Sequence, residues 1–332
     1  LAGGMMLKEG KILSGMRPTG KLHLGNLFGA LENWVRLQHD YECYFMVADW
    51  HALTTGYSDT SNIKNDVHEM VVDWIAAGLD PEKCVIFRQS DVKEHAELHL
   101  LLSMITPLGW LERCPTYKEQ IHQLEGKDIS SYGFLGYPLL QAADILIYKA
   151  DTVPVGEDQI PHVELTREIA RRFNYIYGPI FPEPQAKMNK VTMLTANDGR
   201  KMSKSYGNVI NISSTPDEFK AYVSNMITDP ARIKKTDPGH PDICSVFAYH
   251  KVFNPDSIDE IRCDCENANI GCVACKRNLA DKILEFMAPI HERRVTICND
   301  VDYIAQVLQD GKARATATTA QTMVEVREAM KL

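Results

Sequence analysis

The chain has 332 residues, 45% of them hydrophobic and 24% charged, enough to bury a sizeable core and to divide into two domains. A formal net charge of −8 excludes a molecule coated in basic surface, so a nucleic-acid partner would have to meet a local patch. No secretory core, transit peptide or membrane-length run is legible: the longest apolar stretch, Leu98 to Leu111, is broken by His99 and Pro107 and has the length of a buried helix.

The expected location is therefore the cytoplasm, with no membrane and no DNA partner implied. Leu1 to Met6, with two adjacent methionines, reads as an added leader before a natural start and is set aside. Lys11 to Ser14 is a short strand, followed by turn material at Arg17-Pro18-Thr19-Gly20 and an apolar helical pattern at Leu27, Leu31, Trp34 and Leu37. Cys43 to Ala48 reads as a second strand, Asn62 to Ala77 as an amphipathic helix, and Cys84 to Gln89 as a third strand after Asp80-Pro81. Helices at Ala96 to Ile105 and Leu139 to Tyr148, a strand at Thr152 to Val155 and a helix at Pro161 to Phe173 continue the alternation. Such alternation predicts an α/β fold, a Rossmann-like doubly wound parallel sheet.

After Phe181 the composition turns to Pro182, Pro184, Asn197, Asp198 and Gly199, which is loop chemistry and marks a boundary. Beyond Asn211 only helical patterns recur, at Pro216 to Met226, Ser257 to Ile261, Lys276 to Val295, Val301 to Gln309 and Ala315 to Met330. The second domain is expected to be all-helical.

Two short strings carry the chemistry. In His23-Leu24-Gly25-Asn26, Gly25 lets the backbone lie against a flat adenine ring, and His23 and Asn26 are neutral donors at a helix N-terminus, where aligned N–H groups favour phosphate. In Lys201-Met202-Ser203-Lys204-Ser205, two lysines three residues apart in a Gly199-bounded loop can neutralise the β- and γ-phosphates as pyrophosphate leaves, and a mobile loop can close on ATP and reopen. Taken singly, the first is compatible with an ordinary helix start and the second with a solvated basic loop. Together, separated by a parallel α/β pattern, they imply activation of a carboxylate by ATP.

Asp144 lies in the apolar run Ala142 to Ile147, where a buried carboxylate needs a partner. His51 follows an apolar strand and would face the crevice beside the carboxyl ends of the strands, although from sequence alone a satisfied core histidine is the commoner case. Of nine cysteines, Cys43, Cys84, Cys114 and Cys298 sit singly as small hydrophobes. Cys265, Cys272 and Cys275 cluster and, with Cys244, could bind Zn²⁺ or a [4Fe–4S] cluster as thiolates, Cys263 being the alternative fourth ligand.

The paired strings resemble those of class I aminoacyl-tRNA synthetases. The segments Ser14-Gly15-Met16-Arg17-Pro18-Thr19-Gly20, Asp49-Trp50-His51-Ala52, YPLLQAADILIY (Tyr137 to Tyr148) and VPVGEDQIPHVELTR (Val153 to Arg167) are similar, in order, to the bacterial tryptophanyl-tRNA synthetase family, from about Lys11 to the C-terminus. That resemblance implies activation of L-tryptophan to its adenylate and transfer to the 3′ end of tRNA(Trp), with Mg²⁺ on the phosphates and a homodimeric assembly. It implies ATP contacts from Arg17, Pro18, Thr19, Gly25, Asn26, Gly156, Glu157, Asp158 and Gln159 and from Lys201, Met202, Ser203, Lys204 and Ser205, with His23, Asn26, Lys201 and Lys204 serving catalysis. The tryptophan pocket is implied to comprise Asp144, as acceptor of the indole N–H, with His51, Gln141 and Gln159.

This chain departs from common relatives at several of these places. Arg17 stands for a Gln, Gln141 for a Met, His23 for a Thr, and Gln120 for the second lysine of a pair beginning at Lys118. Some bacterial members carry an iron–sulfur cluster on a similar cysteine pattern, whose first interval is two residues longer than here; this places iron–sulfur ahead of zinc. Residues 7–195 are the expected catalytic domain, 196–207 the KMSKS loop, 208–310 an anticodon-binding domain with the cysteine cluster, and 311–332 a C-terminal helix packing back toward the catalytic domain.

Rival readings lack parts of this set. A small nucleotidyltransferase would have the first string without the lysine loop and a following helical domain. A decayed, non-enzymatic RNA-binding relative would have lost Lys201, Lys204 or Asp144. Tyrosine is the nearest alternative substrate, because the same architecture serves it.

Overall fold

A computed structural model describes residues 8–115, 117, 130–188 and 194–332; Lys118 and Gln120 lie outside the described residues. Its centre is one parallel sheet of β1 (Lys11–Met16), β2 (Glu42–Val47), β3 (Val85–Arg88), β4 (Thr152–Val155) and β5 (Gln185–Met188), ordered β3-β2-β1-β4-β5. The order reverses between β1 and β4, and a crevice opens at the carboxyl ends of the strands at that point.

Successive side chains of β2 go to opposite faces: Cys43, Phe45 and Val47 join one core, Tyr44 and Met46 the other. A sheet covered on both faces needs such unbroken apolar runs, which explains why β1 to β3 are legible in sequence. β5 was expected to be loop. It pairs with β4 from Thr152↔Gln185 to Val155↔Met188, but as an edge strand it exposes Gln185, Lys187 and Met188 and so lacks the apolar alternation that marks a strand.

The first crossover runs through α1 (Leu24–Asn26), a π-helical segment (Leu27–Leu31) and α2 (Glu32–Asp40). Then come α3 (Asp49–Gly56), α4 (Ile63–Ala77), α5 (Glu94–Ser103), α6 (Leu108–Glu112), α7 (Tyr132–Ile147) and α8 (Ile160–Tyr177). α7 begins seven residues before the expected Leu139, because Ser131 caps it by accepting from the Phe134 N–H. Its Gly133, Gly136 and Pro138 hid that start.

The C-terminal part comprises α9 (Pro216–Ser224), α10 (Ser245–Phe253), α11 (Ile258–Glu266), α12 (Cys272–Asn299) and α13 (Tyr303–Met330). α10 was not anticipated. The two helices expected between Val301 and Met330 are one, with Gly311 in its interior. α12 packs against α4, α9 and α10, and its Arg294 pairs with Glu69 and the buried Asp73 of α4. Burial pushes the Asp73 carboxyl up to about 6 although the Arg294 guanidinium pulls it down. α13 lies along β3, covering the other sheet edge. Among the described residues no helix is long and apolar enough to cross a membrane.

Candidate active site

The crevice holds a cavity of about 360 Å³, room for one amino-acid side chain. Arg17, His51, Gln141, Asp144, Gly156 and Gln159 all line it, so residues spread over 143 positions of sequence face one space. Sequence reasoning did not name Tyr137 and His162, which line it too.

Asp144 is 1% exposed at its floor. It sits in the C-terminal half of α7, not at a helix start, so a capping role is excluded. Nor does it wait for a substrate to satisfy it. His51 Nε2 lies 2.7 Å from Oδ2, His95 Nδ1 lies 2.6 Å from Oδ1, and Gln89 Nε2 donates to both oxygens at 2.9 and 3.0 Å. Burial raises the Asp144 carboxyl, but these donors outweigh it and hold the group down to about 2. It is an anion and only an acceptor throughout the neutral range. His51, in α3, is the one of these three donors that also lines the cavity.

A second chain runs along α8. Gln159 Nε2 donates to Asp158 Oδ2 at 3.2 Å, which turns its Oε1 toward His162 Nδ1 at 2.9 Å; His162 Nε2 is 3.1 Å from the Tyr137 hydroxyl. Burial lowers His162 to about 4, so it is neutral, donating through Nδ1 and accepting from Tyr137 through Nε2. Gln159 lines the cavity with its amide held between Asp158 and His162. Gly156, Glu157 and Asp158 form the turn ahead of it, the two acids exposed.

At the mouth the two strings touch. The Asn26 side-chain oxygen accepts from the His23 N–H at 3.0 Å, the Leu24 N–H donates to Ile210 O, and Met202 packs over Gly25. A Cβ at Gly25 would come within 2.9 Å of the His23 ring, so only glycine leaves both the ring and the backbone in place. His23 is lowered to about 4 by burial and then by the Lys204 charge, and its Nδ1 is buried without a hydrogen-bond partner among the described residues. A neutral ring with an uncommitted nitrogen suits a ligand oxygen or proton donor there.

Lys204 Nζ donates to Thr19 O at 2.9 Å, bridging from the lysine loop to the segment after β1. Burial lowers its ammonium, while Asp66 and Asp73 hold it up. The loop is shaped by buried Asn208, which accepts from the Ser203 N–H and donates to Asp198 and to Lys201 O. Ser203 and Ser205 hydroxyls are 2.7 Å apart, and Lys201 is exposed, bridged through its backbone to Thr195. Arg17 lines the cavity and Pro18 is part of the loop that Lys204 reaches.

Comparison with known proteins agrees with this geometry. The family described as tRNA synthetases class I (W and Y) matches residues 7–288. A tryptophan–tRNA ligase of Thermotoga maritima is 54% identical over 325 residues, covering 97% of this chain and 99% of that protein. The solved structure of tryptophanyl-tRNA synthetase from Campylobacter jejuni, complexed with ADP and tryptophan, matches with a TM-score of 0.89 at 33% identity, covering 97% of this chain and all of that one. This chain belongs to the bacterial tryptophanyl-tRNA synthetases. As such it activates tryptophan with ATP and charges tRNA with it. A tyrosyl-tRNA synthetase from Archaeoglobus fulgidus shares the fold alone, at 20% identity and a TM-score of 0.67.

Within this tryptophanyl-tRNA synthetase the clustered cysteines converge from three helices. Cys244 precedes α10, Cys265 ends α11, and Cys272 and Cys275 form the first turn of α12. Burial pushes the Cys275 thiol up to about 12, and Cys244, Cys265 and Cys272 push it further in the same direction. Cys263 is exposed and its sulfur accepts from Asn267, apart from this group. Among the described residues no group of three or more His, Cys, Asp or Glu stands at metal-holding distances. The expected metal centre is not shown among the described residues.

Proposed function

We propose that the cavity seats the tryptophan side chain with its indole N–H on Asp144, and that the crevice mouth seats ATP. The observation that carries this is a buried, ionised Asp144 lining one cavity with Arg17, two residues before the Thr19 carbonyl that Lys204 reaches. The tryptophan carboxylate, already ionised, attacks the α-phosphorus; the new O–P bond forms as the bond to the pyrophosphate oxygen breaks, and no general base is required. Gln159 N–H orients the carboxylate. His23 and Asn26 donate toward the α-phosphate, with Arg17, Pro18, Thr19, Gly25 and the Gly156-to-Asp158 turn around the nucleotide. Lys201 and Lys204, with Met202, Ser203 and Ser205 forming the loop, take up the charge on the leaving pyrophosphate. Mg²⁺ supplies further charge neutralisation on the phosphates when bound. The terminal ribose hydroxyl of tRNA(Trp) then attacks the carbonyl carbon and AMP departs.

Lys204→Ala should lower kcat for tryptophan-dependent pyrophosphate exchange about 100-fold, in line with the loss of one preorganised donor at a charged transition state, and leave the KM for tryptophan within about threefold. An unchanged kcat would remove Lys204 from the reaction.

We further propose a thiolate-held [4Fe–4S] cluster on Cys244, Cys265, Cys272 and Cys275, with Zn²⁺ as the second reading; their donor chemistry and mutual proximity support it. Protein purified without oxygen should carry about four iron and four sulfide per chain, falling below one in Cys272→Ser/Cys275→Ser. Zinc alone would select the second reading, and no metal would sink both. Arg262, Lys276 and Arg277, near these cysteines in sequence, suit contact with tRNA phosphates and support the reading of residues 208–310 as an anticodon-binding domain. The exposed Leu100, Met104 and Leu108 of α5 and α6, with Tyr132, are of a kind that a second copy would bury, and they support a homodimer; a monomer by sedimentation at high concentration would contradict it. The enzyme is placed in the cytoplasm, where reduced thiols persist.

A further inference from the structure

Asp144 is gripped from two sides, and only one of them faces the ligand. His51 lines the cavity, whereas His95 and Gln89 stand behind the carboxylate, both 0% exposed and neither lining the cavity. Gln89 is held by the Trp50 N–H, which donates to its Oε1 at 3.2 Å and so turns its Nε2 to Asp144. His95 is held by Tyr148: the hydroxyl is 2.8 Å from Nε2, and Tyr148 is itself 0% exposed. Since Asp144 is ionised, Nδ1 of His95 carries the proton that points to Oδ1. Tyr148, whose phenol burial keeps protonated, donates to Nε2 and so fixes that tautomer.

The line from Tyr148 through His95 to Asp144 occupies Oδ1 and sets the plane of the carboxylate. What remains toward the cavity is Oδ2, where an incoming donor meets the position now taken by His51. Oδ2 already accepts from Gln89 behind it, so its cavity-facing direction is what is left for a ligand N–H.

We infer that His95, oriented by Tyr148, is a specificity-determining positioning residue: it aims Asp144 so that the enzyme selects an aromatic amino acid with a ring N–H over an isostere that lacks one. This rests on Asp144 being the acceptor of the indole N–H. A free carboxylate could rotate, turn either oxygen to its histidines and tolerate a ligand with no donor. A carboxylate locked from behind cannot, and a ligand without the N–H leaves a buried acceptor unmatched.

The test compares kcat/KM in pyrophosphate exchange for tryptophan and for β-(3-benzothienyl)alanine, in which sulfur replaces the ring N–H. In His95→Leu the preference for tryptophan should fall about tenfold, with the KM for ATP unchanged. His95→Asn, whose side-chain N–H reaches the place of Nδ1, should restore the preference to within about threefold of the native enzyme. Tyr148→Phe, which deletes one oxygen, should lower it by a smaller factor and carries the test if His95→Leu does not fold. A preference unaltered in folded His95→Leu, or equally low in the leucine and asparagine variants, would overturn the inference and leave His95 a core residue. Asp144→Asn separates the two levels: a preference that survives there refutes the indole contact itself, and the inference with it, whereas loss there without loss in His95→Leu refutes the inference alone.

Discussion

Asparagine at position 144 should lower kcat/KM for tryptophan in pyrophosphate exchange by about 1,000-fold while the KM for ATP stays within about threefold. The carboxylate accepts from His51, His95 and Gln89 at 2.6 to 3.0 Å and is 1% exposed. An amide keeps the shape but turns one acceptor into a donor. If its nitrogen faces His95, it opposes the Nδ1 proton; if it faces His51, it opposes the cavity side where the indole N–H is proposed to bind. In both orientations a buried donor loses its acceptor, and breaking such a charged, hydrogen-bonded cluster costs about 3–5 kcal/mol. The proposed ATP site is built from other elements, at β1, the helix N-terminus after it and the lysine loop, so nucleotide binding should be spared. A loss below tenfold, or an equal loss in ATP affinity, would show that Asp144 does not face the substrate.

The second large effect concerns the fold. Replacing Gly311 by Ala should destabilise the protein by about 3 kcal/mol or more, read as a lower midpoint in thermal or denaturant unfolding. In an exposed helix interior the same change stabilises by about 1 kcal/mol, so even the sign is informative. Here α13 presses on β3: a Cβ on Gly311 would lie 1.6 Å from the Ile86 carbonyl oxygen and 2.6 Å from its carbon. Those are backbone atoms of the edge strand β3, held by its pairing to β2, and cannot rotate aside. The helix would have to lift, withdrawing Ala315, Met323 and Val326 from the core they share with Phe87. Because β3 leads directly into Gln89, a displaced strand should also weaken tryptophan binding. An unfolding midpoint equal to or above the native one would show that α13 yields without cost.

How far sequence alone reaches differs between fold and site. The parallel α/β alternation was legible because strands buried on both faces leave apolar runs, and helices between them leave a 3.6-residue period. β5 left no such mark, being an edge strand with polar, exposed residues; α10 follows Cys244, with no capping side chain and no acidic residue in its first turn to announce it. The start of α7 was obscured by Gly133, Gly136 and Pro138, which read as loop residues until Ser131 is seen capping the helix.

At the site, His23, Gly25 and the lysine pair were legible as short strings whose residue types suit phosphate chemistry, whereas Asp144, His51 and Gln159 were singled out through the resemblance of their strings to a known family. Gln89, His95, Tyr148, Tyr137 and His162 were not. His95 in Glu94-His95-Ala96-Glu97 resembles any polar helix residue, and what gives it meaning is a carboxylate 49 positions away. Gln89 meets the same carboxylate across 55 positions and His51 across 93. No local period encodes such contacts.

Composition, periodicity and two strings therefore determined the class of fold and the activation of a carboxylate by ATP, because these depend on local patterns of burial and on residue types at fixed spacing; tryptophan as the substrate came from the resemblance of longer strings to a known family. Tertiary structure alone decided that Asp144 is already satisfied and ionised, which of its oxygens faces a ligand, that Lys204 reaches Thr19, and that Gly311 must be glycine. These follow from where the sheet brings α3, α5, α7, α13 and the lysine loop together. Hydrogen bonds and steric contacts act over about 3 Å whatever the separation along the chain, and only the fold sets which groups come that close.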